Sequence, residues 1–347
     1  MDTRSTLAII IVNWNRRDDL LQLQMDLAAQ TEPADEILVI DNGSTDGSTD
    51  ALAAGSHSAR IIRLHRNTGL SFGRNVGIAS SKSDLLVFLD NDMRVLDTRF
   101  LARARDSAAA HSDCGIISFH YFNVVPTRTL NPAEPRPPSL ADLVRIAAIG
   151  GSPVRPRTFY DWFFWGGASL VRRSVFQEVG VFDDVFSYGG EEWDLAFRCH
   201  AAGIRLLRDT SLWTVHMQSP IMRSSAMPSQ ILRNMVLAEA RYMPSADLVA
   251  MLLMQFAASL ADAVRQKSLL ACVRDWFSIG ASWWSRVVRK RNPVSRSVMR
   301  RFYFLRLANE PDAFASVLNS RVSIIGYYRE RHRIRRHCRS QDVVTIA

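Results

Sequence analysis

The sequence predicts an α/β fold: a doubly wound, mostly parallel sheet followed by a helical, basic C-terminal extension. Three observations predict it. Short apolar runs alternate with amphipathic stretches through the first 110 residues. Several of those runs end abruptly in Asn or Asp. The charge also reverses along the chain: residues 1–220 hold 22 Lys+Arg against 26 Asp+Glu, and residues 221–347 hold 21 against 8.

The elements follow in order. Residues 9–12 are all apolar and read as a buried strand closed by Asn13. Residues 18–30 space Leu20, Leu23 and Leu27 as one face of a helix. Residues 37–40 are a second buried strand, ending at Asp41. Asn42-Gly43 and Asp46-Gly47 are turn pairs leading into a short helix that ends near residue 54. Residues 61–64 read as a third strand, 72–80 as a helix, 85–89 as a fourth strand and 97–110 as a helix. Strands alternating with helices in this way build a parallel sheet. Between Pro126 and Pro156 the pattern fails; seven of the thirteen prolines fall there, as in a long variable loop. Helices over 174–179 and 192–202 come next, then a strand over 206–215 that runs into His216. Beyond Ser219 the chain reads as helical, with Trp276, Ile279, Trp283 and Val287 at helical spacing beside the basic run from Arg286 to Arg291.

Length and composition bound the function. At 347 residues and 47% hydrophobic content the chain is globular, with one large domain or two. A boundary near residue 220 separates a ligand-binding domain, 1–220, from a basic helical region, 221–347. Cys114, Cys199, Cys272 and Cys338 are widely spaced and form no C-x-x-C, which argues against a disulfide framework or zinc site and suits a reducing compartment. The first apolar run is too short for a cleavable signal, and Asn13 and Asn15 follow it. The longest uncharged stretch, 248–261, is too short to span a bilayer. A soluble or peripheral protein of the cytoplasm, at most at the inner face of the cell membrane, is expected.

The chemistry gathers at strand ends. Asn13-Trp14-Asn15, Asp41, Asp90-Asn91-Asp92 and His216 each close an apolar run, and in a parallel sheet such ends share one rim where ligands bind. Paired carboxylates there suit a hard divalent cation, Mg2+ or Mn2+, and such a cation suits a diphosphate. Asp41 is suited to a ribose or base and Trp14 to stacking, while the plainer roles are a turn cap and a core ring. His216 is either a structural histidine or a further metal ligand. The segment from Asn67 through Gly69 and Arg74 to Asn75 and Gly77 offers glycines for close approach, a helix start and a guanidinium for phosphate. Its glycine spacing is not the dinucleotide fingerprint and follows the third strand, which argues against a nicotinamide enzyme. Glu191-Glu192, after two glycines and before Trp193, supply a general base, a favourable helix start, or both.

In this order the motifs resemble the family-2 glycosyltransferases of GT-A fold, of the bacterial rhamnosyltransferase kind. The resemblance covers about residues 7–240. It rests on Ile10-Ile11-Val12-Asn13-Trp14-Asn15 (the family more often has Tyr at Trp14), Asp41-Asn42-Gly43-Ser44, Asn67-x-Gly69 through Asn75-x-Gly77, Asp90-x-Asp92, Gly166-Gly167-Ala168-Ser169, Gly180-Val181-Phe182-Asp183 and Glu191-Glu192-x-Asp194-Leu195. It implies a nucleotide-diphosphate sugar as donor, held by Asn13, Trp14, Asn15, Asp41, Asn67, Gly69, Arg74, Asn75, Asp90 and Asn91. It implies a divalent cation on Asp90, Asp92 and His216. It implies an acceptor side of Trp165, Gly166, Gly167, Trp193 and Asp194, with Glu192 as base and Glu191 beside it. The family usually has Glu-Asp at this pair.

The implied reaction is an inverting single displacement onto a hydroxyl of a glycan or lipid-linked acceptor. Processive relatives carry Q-x-x-R-W, whereas Gln230-Ile231-Leu232-Arg233-Asn234 ends in asparagine, which points to a non-processive enzyme. The basic tail suits an anionic membrane surface, packing on the catalytic domain or a homodimer contact. No nucleic-acid recognition motif accompanies it. The competing readings are a non-catalytic scaffold of the same fold at the membrane surface and a nucleotidyltransferase releasing pyrophosphate.

Overall fold

The computed structural model describes residues 4–55, 59–124, 140–148, 154–217, 227–265, 269–287 and 290–309. Most of the Pro126–Pro156 loop and the basic segment 331–339 lie outside them. The chain divides into two compact units. The first comprises residues 1–159, 164–187 and 204–224, and the second comprises 160–163, 188–203 and 225–347.

The first unit opens with the expected alternation: β1 (Leu7–Asn13), α1 (Arg17–Ala28), β2 (Glu36–Asp41), α2 (Ser48–Ala54), β3 (Arg60–Arg63), α3 (Leu70–Ser80) and β4 (Leu85–Asp90). β1 pairs in parallel with both β2 and β4, and β2 pairs in parallel with β3. Leu7 through Ile11 are fully buried, which is why the strand is a continuous apolar run. α3 packs on β1 through two glycines. A Cβ at Gly73 would stand 2.7 Å from Val12, and one at Gly77 would stand 2.4 Å from Ile10. These glycines therefore admit a strand, whereas the sequence suggested a ligand.

The rest of this unit is mixed rather than parallel. β5 (Met93–Arg94), α4 (Phe100–Ala110), β6 (Cys114–Val124), α5 (Leu140–Ala148), β7 (Thr158–Asp161, of which residues 158–159 belong to this unit), β8 (Ala168–Arg172), α6 (Arg173–Val179) and β9 (Arg205–Met217) follow, and a helix of the second unit, α7 (Glu191–Ala202), precedes β9 in the chain. The sheet order is β3-β2-β1-β4-β8-β6-β9-β5, with β7 paired to β9 beside it. β8 lies antiparallel between β4 and β6, and β9 runs parallel to β6. Two antiparallel steps restore the original direction, so β9 points the same way as β4. Their C-terminal ends, with Asp90 and His216, share one rim, while β8 brings its N-terminal end there. α5 lies inside the stretch expected to be loop. Its Leu143 is buried with Trp213 and Val215 of β9, just before His216.

The second unit contains α7 (Glu191–Ala202), α8 (Met227–Tyr242), α9 (Ser245–Arg265), α10 (Leu269–Arg286) and α11 (Arg296–Asn309). Its core is aromatic. Trp162 meets Trp193 at 5.0 Å and Phe302 at 5.3 Å, and Phe197 stacks on Phe302 at 4.6 Å. Among the described residues no helix is long and apolar enough to cross a membrane.

Candidate active site

The rim of the first unit begins where β1 and β2 end. Asn13 is fully buried, and its side chain donates to Ser44 Oγ at 3.2 Å and accepts from Asn91 Nδ2 at 2.8 Å. Asn15 takes φ of 51° and accepts from the Thr45 N–H at 2.8 Å. Asparagine tolerates that left-handed conformation better than most residues. Asp41 is buried and accepts from the Ser44 N–H at 3.3 Å, which is the turn-cap role. Trp14 is 43% exposed, so its indole face is presented outward rather than packed in the core.

Asp90 closes β4 against the antiparallel neighbour. Its backbone N–H donates to the Gly167 carbonyl at 3.2 Å. A Cβ on Gly167 would stand 2.1 Å from the Asp90 carboxyl carbon, so glycine is what lets this carboxylate lie against β8. Arg74, only 2% exposed, reaches the Asp90 carboxylate at 3.4 Å and lies over the Phe182 ring at 5.4 Å. The guanidinium that the sequence offers to phosphate is held on Asp90.

Asp92 and His216 meet across the sheet. Met93 pairs with His216 in the β5–β9 ladder, and the Met217 N–H donates to the Asp92 carbonyl at 2.9 Å. His216 Nε2 then stands 3.3 Å from Asp92 Oδ1. Its Nδ1 lies 3.0 Å from Asn123 Oδ1 on β6. With the Nδ1 proton given to Asn123, Nε2 turns a lone pair to the carboxylate, and two acceptors that close require a proton or a cation between them. Two ligands each about 2.1–2.2 Å from one ion stand about 3 Å apart, so the pair fits the divalent cation that the family resemblance implies. Arg16 Nη2 lies 3.8 Å from Asp92. The Tyr121 ring stands edge-on to His216 at 5.9 Å and to Trp165 at 5.2 Å. Among the described residues no three His, Cys, Asp or Glu side chains converge as a metal cage, so the expected Asp90, Asp92 and His216 trio is a close pair plus a separate carboxylate on Arg74. Magnesium-type sites commonly use one or two carboxylates and take their other ligands from water and substrate phosphates.

The segment after β3 is tied to the protein. Asn67 Oδ1 accepts from Asn42 Nδ2 at 3.1 Å and from the Gly69 N–H at 2.9 Å. Gly69, at φ 92°, lies against Ser187, where a Cβ would approach to 2.8 Å. Asn75 Nδ2 donates to the Phe182 carbonyl and to Asp184, both at 2.8 Å. These contacts fix the loop; they do not point the amides outward. Trp165 is exposed and lies beside the Arg208 guanidinium at 5.9 Å, while Gly166 and Gly167 are buried.

In the second unit, Gly190 at φ 95° starts α7. A Cβ there would come within 2.9 Å of Asn234, whose Nδ2 donates to the Tyr188 carbonyl at 2.9 Å. Asn234, where processive relatives carry tryptophan, is thus committed to the turn before α7. Glu191 is buried and Glu192 half-buried. Trp193 is buried against Trp162 and Phe163 rather than presented to a ligand. Asp194 is buried among Arg198 Nε at 2.9 Å, Arg241 Nη1 at 3.0 Å and Tyr242 Oη at 2.8 Å. This carboxylate anchors α7 to α8.

The family profile described as glycosyl transferase family 2 matches residues 8–180, which include the β1, β2, β4 and Gly166-Gly167 motifs. The chain belongs to glycosyl transferase family 2. It is 27% identical over 237 residues to O-antigen biosynthesis protein RfbC of Myxococcus xanthus, covering 63% of this chain and 18% of that one. It is 27% identical over 258 residues to the uncharacterized glycosyltransferase YfnE of Bacillus subtilis (strain 168), covering 61% of this chain and 65% of that one. The chain therefore spans less than two thirds of either relative. A crystal structure of GalNAc-T7 with UDP, GalNAc and Mn2+ superposes with a TM-score of 0.53 at 16% identity, covering 74% of this chain and 52% of that one. The fold is of the GT-A type.

Three side chains support the family 2 rim in roles that local spacing does not announce, and of them only Asn42 belongs to a motif singled out above, as a turn residue. Asn42 accepts from the Thr68 N–H and donates to Asn67 and Gly69. Asn123 orients His216, and Arg16 sits near Asp92. The aromatic and β-branched run before Asn123 is itself a strand signal, and reading β6 from it would have put Asn123 at the rim.

Proposed function

We propose that this chain transfers a glycosyl group, with inversion, from a nucleotide-diphosphate sugar to a hydroxyl of a glycan or lipid-linked acceptor, one or a few sugars at a time, on the cytoplasmic side of the cell envelope. The Asp92–His216 pair at the sheet rim carries the reading. Asp92 and His216 would hold a divalent cation, which supplies charge stabilisation to the departing diphosphate when bound. Asp41 and Trp14 hold the nucleoside, by hydrogen bonding and by stacking. Asp90, fixed by Arg74 and Gly167, lies by the ribose. Glu192, half-buried where Glu191 is buried, takes the acceptor proton. The acceptor oxygen forms a bond to the anomeric carbon as the bond from that carbon to the diphosphate breaks. The UDP, GalNAc and Mn2+ named for the GalNAc-T7 structure agree with this reading. Asn234, standing where processive relatives carry tryptophan, supports the non-processive mode.

A thermal-shift screen of UDP-, GDP- and dTDP-sugars with and without Mn2+ tests it. Ligands that bind the folded state raise the melting temperature. One nucleotide class should do so, and only with the cation. No shift with any of them overturns the reading, and a shift without turnover favours the scaffold.

A further inference from the structure

The face formed by α9 and α10 points to a ligand that the rim does not explain. Along α9, Val249, Leu253, Phe256, Leu260 and Val264 recur every three or four residues and are all exposed. That spacing is one stripe of a helix, about 22 Å long. Along α10, Leu270, Val273 and Phe277 repeat the pattern, with Leu270 89% and Phe277 77% exposed. The Phe256 and Trp276 rings meet at 5.3 Å, which ties the two stripes together. Contiguous exposed apolar surface of this kind marks an interaction site.

Charge selects the occupant. Between Asp275 and Glu310 the sequence has eight Lys+Arg and no Asp or Glu. In the same unit Arg274, beside Val273, and Lys290, Arg296, Arg300 and Arg301 are exposed. A second copy would set this cation-rich unit against itself, because a two-fold contact pairs identical patches. A helical face with an uncharged apolar stripe, Arg274 beside it and further exposed cations in the same unit suits the boundary of a bilayer containing anionic phospholipid. No described helix can span, so the mode is to lie on the surface. We infer that α9 and α10 dock this chain on an anionic phospholipid surface through Leu253, Phe256, Val273 and Phe277. The inference stands independently of the transfer reaction.

Flotation of the full chain with vesicles tests it. Vesicles of phosphatidylcholine with about 30% phosphatidylglycerol should carry the protein, and pure phosphatidylcholine far less, with binding weakened by salt. The Leu253→Asp/Phe277→Asp pair should lose at least about tenfold in partitioning, since two exposed apolar side chains that would enter the bilayer are removed. Both sites are exposed, so an unchanged melting temperature serves as the folding check. Arg296→Glu/Arg300→Glu/Arg301→Glu should weaken binding to the anionic vesicles only. Absence of wild-type binding, or full binding by the Leu253/Phe277 variant, overturns the inference. So does a dimer that this variant dissociates while vesicles are ignored, which would assign the face to a second copy.

Discussion

A single imidazole–carboxylate contact governs the chemistry we assign, and its support lies one residue further out. His216 Nε2 faces Asp92 because Asn123 holds Nδ1 from the other side. Removing such an outer partner typically costs about 10–100-fold in metal affinity. Asn123→Ala should therefore weaken Mn2+ binding by about that factor in a calorimetric titration and leave the melting temperature of the metal-free protein nearly unchanged. Gly167→Ala is a sharper probe of Asp90. The added methyl group would stand 2.1 Å from the carboxyl carbon and must swing that carboxylate away from β8. Donor affinity should fall, and urea-unfolding stability should fall with it as the buried Arg74 loses its carboxylate. Asp90, Asp92 and His216 were legible in the sequence because each closes an apolar run. Their partners were not: Arg74 read as a phosphate ligand, since a guanidinium in a glycine-rich loop looks the same whether it turns outward or, as here, inward onto Asp90.

At the scale of elements, α7 shows how a motif can be legible in place but not in role. Asp194 and Arg198 are four residues apart, a pairing visible in any helix. Arg241 joins them from 47 residues away, and no local spacing announces it. Both side chains of the Asp194–Arg241 pair are buried. Breaking such a pair strands a charge in the interior and costs about 3–5 kcal/mol. Asp194→Ala should lower urea-unfolding stability by about that amount, whereas Glu192→Gln, at a half-buried position, should change stability little and abolish transfer. The Pro126–Pro156 stretch was read as loop throughout, and α5 within it was missed. Nine residues between proline clusters give a short helical period, and what orders Leu143 is the buried surface of β9.

For the whole molecule, the parallel half of the sheet was readable and the mixed half was not. β1 to β4 announce themselves as apolar runs separated by helices. β8 hides inside a motif read for its glycines, and antiparallel insertion between β4 and β6 depends on contacts far apart in sequence. Stability should depend on pH through groups in both units. Burial pushes the His200 imidazole below its ordinary value. The unfolded chain thus binds a proton near pH 6.5 that the folded chain resists, and stability falls as pH drops below about 6.5. His200→Gln should flatten that slope in urea titrations. Hydrogen bonds from the Thr6 N–H and hydroxyl hold the Asp84 carboxyl below the usual carboxylate range, so its stabilisation is present above about pH 4 and lost below it. The central claim is that Asp92 and His216 hold a cation on the diphosphate of a sugar nucleotide. Release of nucleoside diphosphate from UDP-, GDP- and dTDP-sugars, by wild type and Asp92→Asn with Mn2+ or EDTA, tests it most directly. One donor class should be turned over, with release falling at least about 100-fold both in Asp92→Asn and in EDTA. Wild-type release by Asp92→Asn, or pyrophosphate as the product, would contradict the claim.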